Sequence, residues 1–198
     1  MDLTLLIFIV TYAGIAFGKF PFLRVDRTGA ALLGAIAMIV TQRLTMAQAW
    51  NAVDFSTVAL LFGLMVVSAS FAVAGFYQWT AAQIASLQVG PGKLLAVLIA
   101  ASAVLSAVLN NDVVVVAMTP LLVEITLARG LNPLPFLLGF CFAANTGSAA
   151  TLIGSPQNMV VAAGLHLSFN EFFKVAGIPA LLSLPIVWGI IAWMFRNR

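Results

Sequence analysis

Residues 144–158 read ANTGSAATLIGSPQN, an abrupt change of chemistry inside an apolar chain. The flanking apolar stretches, residues 135–144 and 156–165, are each about ten residues long, half of what a helix needs to cross a hydrocarbon core about 30 Å thick at 1.5 Å per residue. Two such halves joined by Asn, Thr, Gly and Ser over residues 145–155 are the pattern of a discontinuous membrane helix. Backbone that leaves the helix inside a bilayer must be satisfied by protein or by water in a cavity. The competing reading is one ordinary helix whose small residues serve packing. Ser155 before Pro156 matches an N-cap followed by proline at the first helical position, so a second helix starts there.

Composition places this segment in a membrane. Of 198 residues, 63% are hydrophobic and 8% charged, and the mean hydropathy is +1.11. Soluble chains carry about 25% charged residues, and disordered tails, collagen and coiled coils do not tolerate so apolar a composition. A lone Cys141 excludes a disulfide scaffold. The net charge of +3 comes from scattered cations with no basic cluster, which excludes a nucleic-acid surface.

Working outward, residues 93–109 and 113–128 are two apolar helical runs separated only by Asn110, Asn111 and Asp112. They predict a helical hairpin with a polar tip, each arm about 24 to 26 Å long and slightly short of a crossing. Residues 3–20, 28–42 and 55–77 predict three further spans, and residues 176–195 a closing span kinked at Pro179 and Pro185. A cleavable signal peptide competes for the first span, but Asp2 stands where a basic flank belongs. Residues 77–88 and 168–174 mix aromatic and polar side chains and read as stretches lying flat at a membrane surface, or as loops. The expected fold is an all-α polytopic membrane protein with five crossings, one re-entrant hairpin and one discontinuous helix, organised as a single repeat: scaffold helices 3–77, transport elements 91–165, closing helix 176–195. With that topology Lys19, Arg24, Arg27, Lys93, Arg129, Arg196 and Arg198 share one side against Arg43 and Lys174. The positive-inside rule then puts the N-terminus outside, the C-terminus in the cytoplasm and the hairpin entry on the cytoplasmic side.

Asp112 is the most informative residue. A carboxylate between two apolar arms costs about 2.5 to 3.5 kcal/mol near the bilayer centre, so a compensating partner or role is expected. Capping the second arm is one such role, open to Asn110, Asn111 or Asp112. If the tip and the break meet at mid-depth, two helix N-termini converge on one cavity, an arrangement that suits an anion, while unwound carbonyls and Asp112 suit sodium or a proton. Asn145, Thr146, Ser148, Thr151 and Asn158 supply neutral hydrogen-bonding groups. Gly14 with Gly18, and Ala30 with Gly34, permit close helix contact. Glu124 reads as a member of an interfacial ion pair. His166 and Cys141 cannot make a usual zinc site. GPGK at residues 90–93 lacks the spacing of a phosphate loop. A Ser155 and His166 dyad has blander readings as cap and boundary residue, so no enzyme is expected.

LNNDVVVVAMTP at residues 109–120 and ANTGSAATLIGSPQN at residues 144–158 together resemble the signature segments of the ion transporter superfamily, which includes citrate and dicarboxylate transporters, sodium-coupled anion symporters, arsenite efflux permeases and sodium/proton antiporters. The resemblance covers the chain nearly end to end as one N-terminal repeat. It implies a substrate site shared between Asn110, Asn111 and Asp112 at the tip and Asn145, Thr146, Thr151, Ser155 and Asn158 at the break. It also implies a coupling-ion site formed by Ser106, Asn111, Asp112 and Gly154, with sodium near Ser106, Asn111 and Asp112. Dicarboxylate members carry Ser-Asn-Thr at the tip. Asp112 in place of the threonine looks more like the arsenite and antiporter branches, and a fixed negative charge disfavours a multivalent anion unless sodium or a proton neutralises it. Coupling through Asp112 is therefore expected.

Family members resemble two such repeats in inverted orientation, and this chain contains one. The implied partners are the lipid bilayer, a small anionic substrate, a second inverted repeat or companion chain, and a second copy through the first three helices. No nucleic acid and no cofactor beyond sodium or a proton is implied. The expected location is a bacterial-type inner or plasma membrane. Two alternatives stand beside an anion carrier: a sodium/proton antiporter or arsenite-type permease, and a non-transporting subunit or truncated remnant.

Overall fold

Where an apolar run begins, this chain supplies a side-chain oxygen to hold the free amides of the first turn, and that habit sets most helix starts. Asp2, Asp26, Thr45, Asn110, Asn132, Ser155 and Ser168 all act as N-caps. The computed structural model describes residues 2–18 and 25–196. The expected end of the first span up to Phe20, and the charges Lys19, Arg24 and Arg198, lie outside the described residues. Within those residues all regular structure is helical. The chain forms two compact units, residues 1–54 and 55–198.

In the first unit, α1 (Leu3–Phe17) packs on α2 (Arg27–Val40), and a short α3 (Met46–Asn51) follows. Ala30 and Gly34 are buried, and a methyl group on Gly34 would overlap the Thr11 side chain. The small pair in α2 therefore serves contact within the chain. Gly18 does something else: at φ 68° it takes the left-handed conformation that ends α1, a position that favours glycine. Helix α3 had no counterpart among the expected spans. Its signal was present, since Thr45 and Gln48 form a reciprocal capping box readable from their spacing of three. Arg43 and Asp2 make an exposed ion pair at 3.7 Å.

The second unit contains α4 (Phe55–Val73), α5 (Phe76–Ser86), α6 (Pro91–Val108), α7 (Asn111–Ala128), α8 (Pro133–Ala149), a 3-10 turn (Leu152–Gly154), α9 (Pro156–Gly164) and α10 (Phe169–Met194). Helices α6 and α7 are joined by Leu109 and Asn110 alone, and α8 lies against both. The Arg129 guanidinium at the end of α7 donates to the carbonyls of Ala85 and of Leu87 at 2.6 Å. That contact closes the base of the hairpin, because Leu87 precedes α6 by only a few residues. The core gathers Tyr77, Leu94, Leu98, Val114, Met118 and Phe140, each buried. Tyr77, Ala81 and Ile84 form the buried stripe of α5, so residues 77–88 hold a helix with one face in the core.

Four helices, α4, α6, α7 and α10, are long and apolar enough to cross a membrane. Large side chains such as Val104, Val116, Phe142 and Leu182 stand exposed on them and on α8. Water would penalise so much contiguous apolar surface, whereas acyl chains accept it. The protein is therefore an all-α integral membrane protein. Residues 168–174, expected to lie flat, instead open α10 in one continuous helix with the closing span. The Ser168 and Glu171 capping box supplies the start, and the helix passes through Pro179 and Pro185.

Candidate functional site

Leu109 and Asn110 form the tip between the hairpin arms. Asn110 is 7% exposed, and its side-chain oxygen accepts from the Asp112 amide at 2.9 Å. Asn110 is thus the cap, and Asn111 and Asp112 already belong to the first turn of α7. The consequence is chemical: the Asp112 carboxylate is not spent on the helix end. It is exposed, and among the described residues it takes no hydrogen bond or ion pair.

The helix break is narrower than residues 145–155. Helix α8 continues through Asn145 and Thr146 to Ala149, so it exceeds a half crossing. Local bonds permit this. The Asn145 amide donates to the Cys141 carbonyl at 3.0 Å, and the Ser148 hydroxyl donates to the Asn145 carbonyl at 2.9 Å. These polar side chains bond one turn back along their own helix. The true interruption spans residues 150–155. The Asn158 amide braces it, reaching the Ser148 carbonyl at 2.9 Å and the Thr151 carbonyl at 2.8 Å, and the Thr151 carbonyl also accepts from the Gly154 amide at 3.4 Å. Ser155 caps α9 through the Asn158 backbone amide at 3.4 Å, with Pro156 at the first helical position, as expected.

Tip and break meet. The Asn111 amide donates to the Asn145 side-chain oxygen at 3.4 Å. On the other arm, the Thr151 hydroxyl donates to the Ala107 carbonyl, one of the last carbonyls of α6, which the helix itself leaves open. Deeper in, Ser102 donates to the Phe140 carbonyl at 3.0 Å. Two glycines make the approach possible. A methyl on Gly147 would overlap the Ala103 backbone, and one on Gly154 would overlap the Ser148 backbone. Ser106 is fully buried, and its hydroxyl has no partner.

The expected site residues therefore divide by what they do. Asn110, Thr151 and Asn158 spend donors or acceptors on the architecture. Asn145 and Ser155 do so as well, Asn145 through Cys141 and Asn111 and Ser155 as the cap of α9; Asp112 and Asn145 are exposed, and Asn111, Thr146 and Ser155 are half-buried. Gly154 and Ser106 are buried. The role of Gly147 was missed, although a glycine between Thr146 and Ser148 on an apolar helix signals close packing. Ser102, four residues before Ser106, was missed as well. Glu124, expected in an ion pair, is exposed and has none among the described residues. Among those residues no cluster of three or more His, Cys, Asp or Glu is placed to hold a metal ion.

Comparison with known proteins agrees with this architecture. The family model described as citrate transporter (CitMHS) matches residues 5–198. The silicon efflux transporter LSI3 of Oryza sativa subsp. japonica is 35% identical over 183 residues, covering 88% of this chain and 38% of that protein. An uncharacterized transporter of Synechocystis sp. is 31% identical over 180 residues, covering 88% of this chain and 39% of that protein. The magnetosome protein MamN of Paramagnetospirillum magneticum is 35% identical over 164 residues, covering 80% and 37%. This chain thus spans about two fifths of the length of these curated relatives. With a family match across nearly the whole chain, the protein belongs to the citrate transporter family of membrane transporters.

Proposed function

We propose that this chain forms the N-terminal half of a secondary active transporter of small anions of the citrate or dicarboxylate kind, coupled to sodium or protons. The observation that carries the reading is the bonding of the hairpin to the interrupted helix on both arms, Asn111 of α7 to Asn145 of α8 and Thr151 of the break to the Ala107 carbonyl of α6. It brings the start of α7 and the polar residues around the interruption to one edge. An anion there is held by amides, hydroxyls and helix N-termini. The free carboxylate of Asp112 supplies the charge to which sodium or a proton binds, and the buried Ser106 hydroxyl supplies a further oxygen for sodium. Sodium here is cargo that travels with the substrate.

The polar edge is exposed, and bare carboxylate in contact with lipid is costly. A second inverted repeat, from a continuation or a companion chain, covers it in this reading, and the site lies between the two halves. A second reading, efflux by an antiporter or arsenite-type permease, is favoured by the aspartate at the tip and by a relative named for silicon efflux.

Reconstitution into vesicles with imposed sodium or proton gradients tests the proposal. Citrate flux coupled to either gradient is expected once both halves are present, and Asp112→Asn is expected to abolish the sodium and pH dependence. Flux that survives Asp112→Asn with its ion dependence unchanged overturns the coupling role.

A further inference from the structure

At the end of the second unit opposite the Asn110 tip lies a cavity of about 310 Å³. It opens between the start of α6, the start of α8 and the end of α10. Leu95, Phe136, Ile191 and Phe195 form its apolar walls, and Arg196 stands at its edge. The volume is at the lower end for a ligand pocket. One guanidinium and no carboxylate line it. Of the charges nearby, Arg129 is spent on the carbonyls of Ala85 and Leu87, Lys93 is exposed on the first turn of α6, and Glu124 lies outside the lining. Arg196 has no ion pair among the described residues.

The depth of this end is marked by its aromatics. The Trp188 indole donates to the Gly92 carbonyl at 2.9 Å, and Trp193 is 77% exposed one turn before Arg196. Tryptophan with Lys and Arg is the signature of the headgroup level. An opening flanked by these groups matches the depth of lipid phosphates, and its apolar lining matches an acyl chain. A soluble anion leaves the walls unused, and a neutral lipid leaves Arg196 unused. A basic pocket between membrane helices suits a ligand with both parts.

We infer that the hairpin base binds one anionic glycerophospholipid, with an acyl chain among Leu95, Phe136, Ile191 and Phe195 and its phosphate on Arg196. The inference requires only that the chain is embedded in a membrane, and it holds whether or not the chain carries an anion.

Native mass spectrometry of the purified chain in neutral detergent, titrated with dioleoylphosphatidylglycerol or dioleoylphosphatidylcholine, tests it. The wild type is expected to hold the anionic lipid about fivefold more tightly, the weight of one basic side chain at an anionic surface. Arg196→Gln removes that preference, Arg196→Lys keeps most of it, and Lys93→Gln, outside the cavity, leaves it unchanged. Ala192→Trp fills the cavity and lowers the retention of both lipids. Equal binding of the two lipids by the wild type overturns the inference, as does an Arg196→Gln protein that keeps the preference with an unchanged melting temperature. So does a Lys93→Gln effect as large as that of Arg196→Gln, which means diffuse surface attraction. Unchanged retention in Ala192→Trp also overturns it. Displacement of the lipid by millimolar inorganic phosphate assigns Arg196 to a free anion and overturns it equally.

Discussion

At Gly147 the backbones of α8 and α6 come too close to admit a side chain. Replacing Gly147 by alanine forces a methyl into the Ala103 backbone, which cannot swing aside as a side chain can. The expected loss is about 1–3 kcal/mol, the cost of overpacking. It is read as a lowered melting temperature in detergent, while Gly164→Ala, facing open space, leaves melting nearly unchanged. Asn158 and Asn145 make a second contrast. Asn158→Ala strips the side-chain donor from the Ser148 and Thr151 carbonyls; Thr151 keeps the Gly154 amide, so the expected cost is about 1–3 kcal/mol for the Ser148 carbonyl left unpaired. Asn145→Ala, at an exposed position, is expected to change stability by under about 0.5 kcal/mol and to weaken citrate flux. Residue type alone did not separate these two asparagines. Both stood in one polar segment, and only the folded chain shows that Asn158 braces the break while Asn145, bonded to Cys141 and Asn111, sits at an exposed position. The same holds at the tip, where Asn110 takes the cap and leaves Asp112 free.

At the scale of elements, the hairpin, the break before Pro156 and the serine cap were legible because each carries a local chemical marker. Boundaries were less so. Helix α8 reaches Ala149 because Asn145 and Ser148 bond one turn back along it, an option that polarity does not reveal. Residues 168–174 joined α10 because a capping box starts a helix wherever it stands, and no breaker follows until the prolines. The clamp that Arg129 places on the end of α5 was invisible, since it links residues 42 and 44 positions apart. Arg129→Gln removes that clamp. Amide hydrogen exchange over residues 85–90 is expected to speed up by about tenfold, the equivalent of about 1.4 kcal/mol, with exchange at the Asn110 tip unaltered. Equal exchange in both proteins means that the loop is held by packing alone.

At the scale of the whole molecule, apolar composition placed the chain in a membrane. Position within the bilayer and the covering of the polar edge depend on groups beyond the chain's own local patterns. The three basic residues Lys93, Arg129 and Arg196 gather at the hairpin base, away from the tip. In the proposed reading these residues anchor at the membrane surface and Asp112 lies at depth. The most direct measurement is labelling of single cysteines at positions 111, 112 and 145, in a protein with Cys141 replaced by serine, using membrane-impermeant maleimide on reconstituted vesicles. Slow labelling from either side is expected, with protection by citrate together with sodium or acid pH. Fast labelling of all three from the outer face, indifferent to substrate and ions, contradicts it.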